Sequence, residues 1–408
     1  MPKLMVGNAA VSPATVFNIE SVPGYIPLDK GYSIDQNGKL VAPTAKTSYD
    51  TGSGVTDIGD NVLQMSFANN SAITSCNFSE VSTISGANAC KNMFRNANNL
   101  ATITFPELTS VTGASALYRI CITEDDFSGS SISTGNKLTS VSFPKLTTVS
   151  GNQAFYQAFG YYGWSEDPSA GPQLTTVDLD TLEVASGNYC FGCAFEQLGS
   201  VTTLYMSNIK TAGVSAFSSF MAQNPNFAGE MVFDKLTSVD SFAFMNAFAG
   251  SKITKFGAPN LTEIRKKGAF RGSCDSCKLL TELRFDNLEI IDTSLETVSQ
   301  YDSAVINACG CTSLTEVRFP KLKTINANRC FYYGFTDNTS LTDIYFPALT
   351  STGFGSYTTQ FDKMLVSTSN CTVHFPSNLQ SVIGSWSSVT NGFDGTNTTV
   401  LFDLPATI

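Results

Sequence analysis

The chain is poor in charged residues and has almost no histidine. Charged residues make up 14% of its 408 residues, against about a quarter in an ordinary soluble domain, and His374 is the only histidine. The net charge of −10 argues against nucleic acid or an anionic membrane as a partner, since both need basic patches. No apolar run reaches the roughly 18 residues of a membrane-spanning helix, so no membrane insertion is expected.

These shortages bear directly on catalysis. Any scheme that needs an imidazole must use His374, which falls at an outward place of a predicted strand with no carboxylate fixed beside it by the sequence pattern. We therefore interpret His374 as a solvated surface histidine, and we expect neither an enzyme nor a cofactor. The first twenty residues hold one lysine and no long apolar core, so they are not expected to be a secretory signal.

The eleven cysteines are an odd number, and we interpret them as reduced core thiols that pack like alanine. The pairs Cys190-x-x-Cys193 and Cys274-x-x-Cys277 each have the spacing of half a zinc site. They fall about three repeats apart, roughly 15 Å in a stacked structure, so no shared metal site is expected. The acidic run 124–126 lacks the spacing of a known calcium loop, which leaves a solvated loop as the favoured interpretation over a calcium site.

What the sequence has in abundance is an internal repeat. Residues 314–340 read LTEVRFPKLKTINANRCFYYGFTDNTS, with apolar residues at the third, fifth, eighth and eleventh places after Leu314. The same 27-residue pattern begins again at Leu341. Other copies open at Ile73, Leu100, Leu138, Leu174, Val201, about Ala228, Ile253, Leu280 and about Asn370. A repeat of this kind cannot bury its apolar face alone, so the copies must stack on one another.

Each copy predicts the same local structure. The opening LTxIxF alternates apolar and polar residues and indicates a strand whose third and fifth places face inward. Proline often follows, as at Pro106 and Pro320, and ends the ladder because it has no N–H to donate. A glycine at the thirteenth place, as at Gly113, is expected to supply backbone freedom. The AFxxAF segment, as at 154–159, has i, i+4 spacing and predicts one or two helical turns.

This pattern resembles the BspA-like leucine-rich repeats, whose units read LxxIxFPxxLTxIxxxAF, and the resemblance covers roughly residues 55–400. It implies a surface protein that binds host proteins or other cells, and related repeats also occur in proteins of gut bacteriophages. The opening KLMVGNAAVSP is similar to the start of some phage tail or fibre proteins.

The predicted fold is an α/β repeat: a leucine-rich-repeat solenoid with a parallel β-sheet and short helical or irregular returns. Residues 1–46 break the repeat, and Asn37-Gly38 between two β-like runs predicts a hairpin in an attachment or capping segment. Residues 47–396 form the solenoid, with about eleven full repeats after a half repeat. Residues 397–408 are expected to be a capping strand.

Two features are candidate ligand sites. The repeats at 100–137, 138–173 and 280–313 are longer than the others, at 38, 36 and 34 residues, and the first two are adjacent. Insertions at one repeat position emerge on one edge of a solenoid, so those of the first two repeats should lie side by side. The second insertion carries the candidate residues Tyr161, Tyr162, Trp164, Glu166 and Asp167. The alternative is that these aromatic residues pack their own loop.

The second feature is the stripe of outward side chains on successive strands. Early repeats place serine and threonine there, whereas later repeats place Arg284, Arg318 and Tyr345, which we take as candidate ligand-binding residues. Ladders of opposite charge also stabilise a sheet without binding anything, and this alternative stays open.

Together these observations predict a non-enzymatic recognition or adhesion module that binds a host-cell glycan or protein. The expected location is a virion or a cell surface, and otherwise the cytoplasm, with residues 1–46 contacting other virion proteins. The competing interpretation is a structural virion or assembly component with no ligand of its own.

Overall fold

A computed structural model describes residues 33–34, 40–41, 47–51, 54–121, 137–160, 172–296, 305–350, 353–354 and 358–407. The chain divides into two compact units, residues 1–206 and 207–408. Within the described ranges, no helix is long and apolar enough to cross a membrane.

The first unit is built from short strands. They are β1 (Ser33–Ile34), β2 (Leu40–Val41), β3 (Ser48–Asp50), β4 (Ser75–Asn77), β5 (Thr83–Ile84), β6 (Thr102–Thr104), β7 (Ser110–Val111), β8 (Ser140–Ser142), β9 (Thr148–Val149), β10 (Thr176–Asp178), β11 (Val184–Ala185) and β12 (Thr203–Tyr205). The strands that open each repeat, here called face strands, pair in parallel in the orders β3-β4-β6-β8 and β10-β12. The strands that follow them, here called side strands, pair in parallel in the order β5-β7-β9-β11.

The second unit repeats this plan and has two short helices before its last strand. Its elements are β13 (Thr211–Ala212), β14 (Ala228–Val232), β15 (Ser238–Val239), β16 (Lys252–Gly257), β17 (Glu263–Ile264), β18 (Glu282–Arg284), β19 (Ile290–Asp292), β20 (Glu316–Arg318), β21 (Thr324–Asn326), β22 (Asp343–Tyr345), β23 (Thr372–Pro376), α1 (Gln380–Ile383), α2 (Ser387–Thr390) and β24 (Thr399–Leu404). The face strands pair in parallel in the orders β14-β16-β18 and β20-β22-β23-β24, and the side strands in the orders β13-β15 and β17-β19-β21.

Each unit is therefore a parallel β-solenoid, as the repeat predicts. The inward places are filled as the sequence pattern requires: Phe319 and Phe346 are fully buried, and their rings stack with centroids 5.4 Å apart at 5°. In the first unit Phe78 and Phe105 stack in the same way at 4.0 Å. Full burial of such a ring contributes about 1.5–3 kcal/mol, which is gained only when copies stack.

The prediction of helical turns in the AFxxAF segments is wrong. These segments form what we call turn arrays, in which every fourth residue is left-handed, as at Asn88, Asn92 and Asn96 with φ of 53°, 53° and 58°. Alternate N–H groups donate to the next repeat and to the carbonyl three residues back: Asn88 N lies 2.8 Å from Ala114 O, and Lys91 N lies 3.2 Å from Asn88 O. Many backbone groups thereby find partners without a helix, and the four-residue period still returns apolar side chains such as Phe155 and Phe159 to the core.

The glycine of each early repeat is needed for a reason other than the predicted one. The φ angle of Gly113 is not positive, so it needs no special backbone freedom. A Cβ at Gly113 would instead lie 2.0 Å from the carbonyl oxygen of Gly86, and one at Gly151 would lie 2.1 Å from that of Gly113. Only glycine lets successive turns approach this closely.

The two ends of the chain depart from the repeat. β1 and β2 pair antiparallel on either side of Asn37-Gly38, as the hairpin signal predicts. The rest of the predicted attachment segment lies almost entirely outside the described residues. At the other end, α1 and α2 replace the usual return of the final repeat, and β24 pairs in parallel with β23.

Candidate ligand-binding face

Three of the predicted site residues lie in the part of the chain that the structure describes. Arg318 and Tyr345 occupy matching places on the neighbouring strands β20 and β22, and Arg284 ends β18. The insertion residues Tyr161, Tyr162, Trp164, Glu166 and Asp167 lie outside the described residues, as does the acidic run 124–126. The site is therefore built from the second unit's face strands.

Arg318, Tyr345 and His374 form one continuous stack, here called the face stack. The three residues are in register on β20, β22 and β23. The Arg318 guanidinium carbon lies 3.8 Å from the centroid of the Tyr345 ring. The opposite side of that ring stacks on the His374 imidazole at 4.4 Å and 9°. Parallel in-register pairing brings these side chains together because each stands directly over the equivalent residue of the next strand.

The prediction that His374 is a solvated histidine without a carboxylate is wrong. Its side chain is only 11% exposed. Its Nε2 atom lies 3.1 Å from Asp343 Oδ1, and its Nδ1 atom lies 3.0 Å from the carboxylate of Asp403. A carboxylate can only accept, so both contacts are hydrogen bonds when both ring nitrogens carry a proton.

The position of Asp403 explains why the repeat pattern missed this contact. His374 pairs with Leu401 across β23 and β24, and the register between these strands then shifts before Pro376 pairs with Leu404. Asp403 lies two residues beyond Leu401 and so points to the same face of the sheet. The pattern predicts a strand at the end of the chain but specifies no carboxylate at this place, so it gives no sign that Asp403 meets His374.

Carboxylates also pair with the other cations of this face. Glu316 binds the Arg318 guanidinium, with Oε2 lying 3.1 Å from Nη2. Arg284 is not part of the face stack: its Nη2 pairs with Asp286 at 2.9 Å, and its Nε lies 3.5 Å from Glu282. The hydrogen bond that Arg318 donates to Glu316 raises the pKa of Arg318, and the one that Arg284 donates to Asp286 raises the pKa of Arg284. Both guanidinium groups are thus held as charged, ion-paired groups.

The geometry limits what the face stack can do. Both faces of the Tyr345 ring are covered, so this tyrosine cannot stack on a sugar and offers its edge and hydroxyl instead. Partial burial, and then the charge of Asp343, raises the pKa of that hydroxyl, which keeps it a neutral donor. Arg318 is 53% exposed and remains within reach of a ligand. The arrangement suits hydrogen bonding to a polar partner at a pre-formed surface.

The cysteine pairs mostly occupy the core, as predicted. Cys190, Cys274 and Cys277 are buried, whereas Cys193 is half-buried at a left-handed place with φ of 53°. Burial raises the pKa of Cys190 and of Cys277 to about 12, so neither is a reactive thiolate. Among the residues the structure describes, no group of three or more histidine, cysteine, aspartate or glutamate residues is placed to hold a metal ion.

The parallel pairing and the repeat register define the class: a parallel β-solenoid of the leucine-rich-repeat type. Solved structures with a similar trace include a leucine-rich-repeat protein from Bacteroides ovatus ATCC 8483, 14% identical, with a TM-score of 0.31 over 91% of this chain and 97% of that one. A leucine-rich cell-surface protein from Faecalibacterium prausnitzii A2-165 is 16% identical, with a TM-score of 0.34 over 90% and 92%.

The pneumococcal vaccine antigen PcpA is 12% identical, with a TM-score of 0.24 over 93% of this chain and 99% of that one. The sequence matches no protein-family profile and no curated protein. At these identities and TM-scores the likeness says nothing about function, and what the chain binds has to be argued from its own residues.

Proposed function

We propose that this protein is a non-enzymatic recognition or adhesion module that binds a host-cell glycan or protein through its face strands and inserted loops. The observation that carries the proposal is the face stack of Arg318, Tyr345 and His374. It concentrates charged and aromatic groups on the outward side of a sheet, where the first unit presents mainly serine, threonine and asparagine. Solenoids commonly bind their partners through such an extended face.

The same geometry supports a binding role over a catalytic one. Both nitrogens of the only histidine are engaged by carboxylates, so neither is left to accept a proton from a substrate. Arg318 and Arg284 are likewise paired with carboxylates. Groups held in this way recognise a partner by shape and hydrogen bonding.

A glycan array and a host-cell binding assay test the strand-face part of the proposal. Arg318→Ala should weaken binding at unchanged melting temperature, because it removes an exposed donor without opening the core. Arg265→Ala is a matched control, since Arg265 is 51% exposed and paired with Glu263 on a side strand. Equal binding by wild type and Arg318→Ala would remove the face stack from the ligand site.

The inserted loops form the second part of the proposal. The turn arrays that lead into the two insertions are joined, with Cys121 N lying 3.2 Å from Ala158 O, which supports insertions that start side by side. We place a shallow glycan site at Tyr161, Tyr162 and Trp164, whose rings pack on sugar faces while Glu166 and Asp167 accept hydroxyl hydrogen bonds. Trp164→Ala and Tyr162→Ala should abolish glycan binding at unchanged melting temperature. A fall in melting temperature large enough to explain the loss of glycan binding would mean that these residues pack their own loop.

A third part of the proposal concerns the origin and location of the protein. We propose a BspA-like member displayed on a virion or a cell surface, encoded by a phage or a gut microbe, with residues 1–46 joining it to other virion proteins. The antiparallel pairing of β1 with β2 supports a separate role for this segment, because the described strands of the solenoid pair in parallel. Tail or capsid genes next to its gene would support the virion assignment, and a neighbourhood of unrelated metabolic genes would oppose it.

A further inference from the structure

Three tyrosines lie in successive turn arrays of the first unit, along the edge of the solenoid that these arrays form. Tyr118 and Tyr156 are half-buried and stack with ring centroids 5.6 Å apart at 16°. Tyr189 is 38% exposed and meets Tyr156 edge-on at 6.1 Å and 78°. The core does not need these rings, because other residues of the same arrays, such as Phe155 and Phe191, fill the interior. We call the three tyrosines, with Lys91 and Arg119, the tyrosine edge.

Tyr189 occupies a place that does not suit a tyrosine. Its φ is 52°, and the equivalent left-handed places of the three preceding repeats hold Asn88, Ser115 and Gln153. Asparagine tolerates this backbone, whereas a bulky aromatic residue is strained there, as Tyr189 is and, in the second unit, Phe242 with φ of 58°. In the same repeat a Cβ at position 192 would lie 2.9 Å from Cδ2 of Tyr156, so Gly192 leaves room for that ring. Two local departures from the repeat thus serve one aromatic surface.

Cations adjoin the stacked end of the tyrosine edge. Lys91 Nζ lies 4.9 Å from the centroid of the Tyr118 ring, and Arg119 Cζ lies 5.4 Å from it. The turn-array segments 87–99, 114–121, 152–160 and 188–199 carry three cations and one carboxylate, in a chain whose net charge is −10. These residues are Lys91, Arg95, Arg119 and Glu196. The described residues of this edge are therefore basic and aromatic, in a chain that is acidic as a whole.

We propose that the tyrosine edge binds an acidic polysaccharide. The acid groups lie against Lys91 and Arg119, and a sugar ring packs on Tyr189, the most exposed of the three tyrosines. Lys91 lies 4.9 Å from the Tyr118 ring, Tyr118 lies 5.6 Å from Tyr156, and Tyr156 lies 6.1 Å from Tyr189. This line of contacts runs along successive repeats, which fits an extended polysaccharide chain with regularly spaced acid groups. This inference rests on the proposed recognition function and adds a second surface and a class of ligand to it.

The test uses the full chain and two probes, an alginate oligomer as the acidic polysaccharide and dextran as the neutral one. Calorimetry should detect alginate but not dextran, and binding should weaken as salt is raised. Tyr189→Asn and Lys91→Gln should each lower alginate affinity at least about tenfold. Asparagine already stands at the equivalent Asn88, so the first variant keeps the backbone and an unchanged or higher melting temperature.

Two matched variants control for a general loss of aromatic surface or positive charge. Tyr205→Asn removes a 54% exposed tyrosine from a face strand of the same unit, and Lys145→Gln removes a 53% exposed lysine paired with Glu107. Both should leave alginate affinity unchanged. Absence of alginate binding by wild type, or equal losses in all four variants, overturns the tyrosine edge as a site. Alginate binding that is lost only in Arg318→Ala also overturns it while leaving the proposed recognition function in place.

Discussion

At the scale of single residues, the buried phenylalanine rings that stack between repeats are expected to stabilise the fold. Phe319 is fully buried between Phe285 and Phe346, with ring centroids 6.3 and 5.4 Å away. Phe319→Ala should lower the free energy of unfolding by about 3–5 kcal/mol, because a cavity remains between two rigid neighbouring turns. Denaturant titration measures this change. Leu279→Ala, at a 47% exposed site of the same unit, should stay within about 0.5 kcal/mol of wild type.

A second residue-scale prediction concerns pH. Burial raises the pKa of Glu196 to about 7, and its Oε2 atom is buried without a hydrogen-bond partner among the described residues. A carboxyl group with a raised folded-state pKa destabilises the fold when it ionises. That cost is absent below the unfolded-state pKa and complete above the folded-state value, so the stability contributed by this group falls between about pH 4.5 and pH 7.

Glu196→Gln should remove this part of the pH dependence. At pH 8 the variant should be more stable than wild type by on the order of 1–3 kcal/mol, with little difference at pH 5. Urea midpoints at the two pH values give the comparison. Glu107→Gln, which changes an exposed carboxylate, should show no such difference. Parallel pH profiles for wild type and Glu196→Gln would contradict the assignment.

At the scale of elements, the last two face strands are joined by more than their backbone ladder. His374 on β23 lies 3.0 Å from Asp403 on β24, and the imidazole side chain is 11% exposed. A double-mutant cycle on His374 and Asp403 should give a coupling of about 0.5–3 kcal/mol, since the pair is partly shielded from water. The Lys145–Glu107 pair, 53% and 47% exposed, should give at most about 1 kcal/mol. If the His374–Asp403 and Lys145–Glu107 couplings were equal, Asp403 would lie next to His374 without stabilising the fold more than an exposed ion pair does.

The turn arrays show how an element can be mistaken from its spacing. The i, i+4 phenylalanines of 154–159 are buried, as expected, but Gln153 and Gln157 have φ of 55° and 52°. Left-handed residues every fourth place produce the same spacing as one helical turn. The two cannot be separated by apolar periodicity, because both return a side chain to the core after four residues.

At the scale of the whole molecule, the solenoid and the N-terminal segment are expected to have separate roles. Deleting residues 1–46 should leave the repeats from about Ile73 folded, because each repeat is stabilised by its neighbours. The shortened protein should fail to enter a larger particle or oligomer. Thermal melts and sedimentation measure the two properties. Normal assembly by the folded, shortened protein would contradict the attachment role of this segment.

The sequence by itself determined the parallel solenoid and the residues that face its core. Strand alternation has a period of two and the repeat fixes which side chains stack, so the sequence alone places Phe319 and Phe346 over one another. The same alternation put Arg318 and Tyr345 on one outward stripe. These features depend on local spacing and on identical copies meeting in register.

Only the tertiary structure decided the features that depend on how closely successive turns approach. The close approach of Gly113 to Gly86 depends on how one turn of the solenoid fits on the next. The left-handed turns depend on hydrogen bonds between neighbouring repeats. The contact between His374 and Asp403 lies where the register between β23 and β24 shifts. A repeat pattern specifies the structure that all copies share, whereas these contacts depend on how particular copies pack on their neighbours.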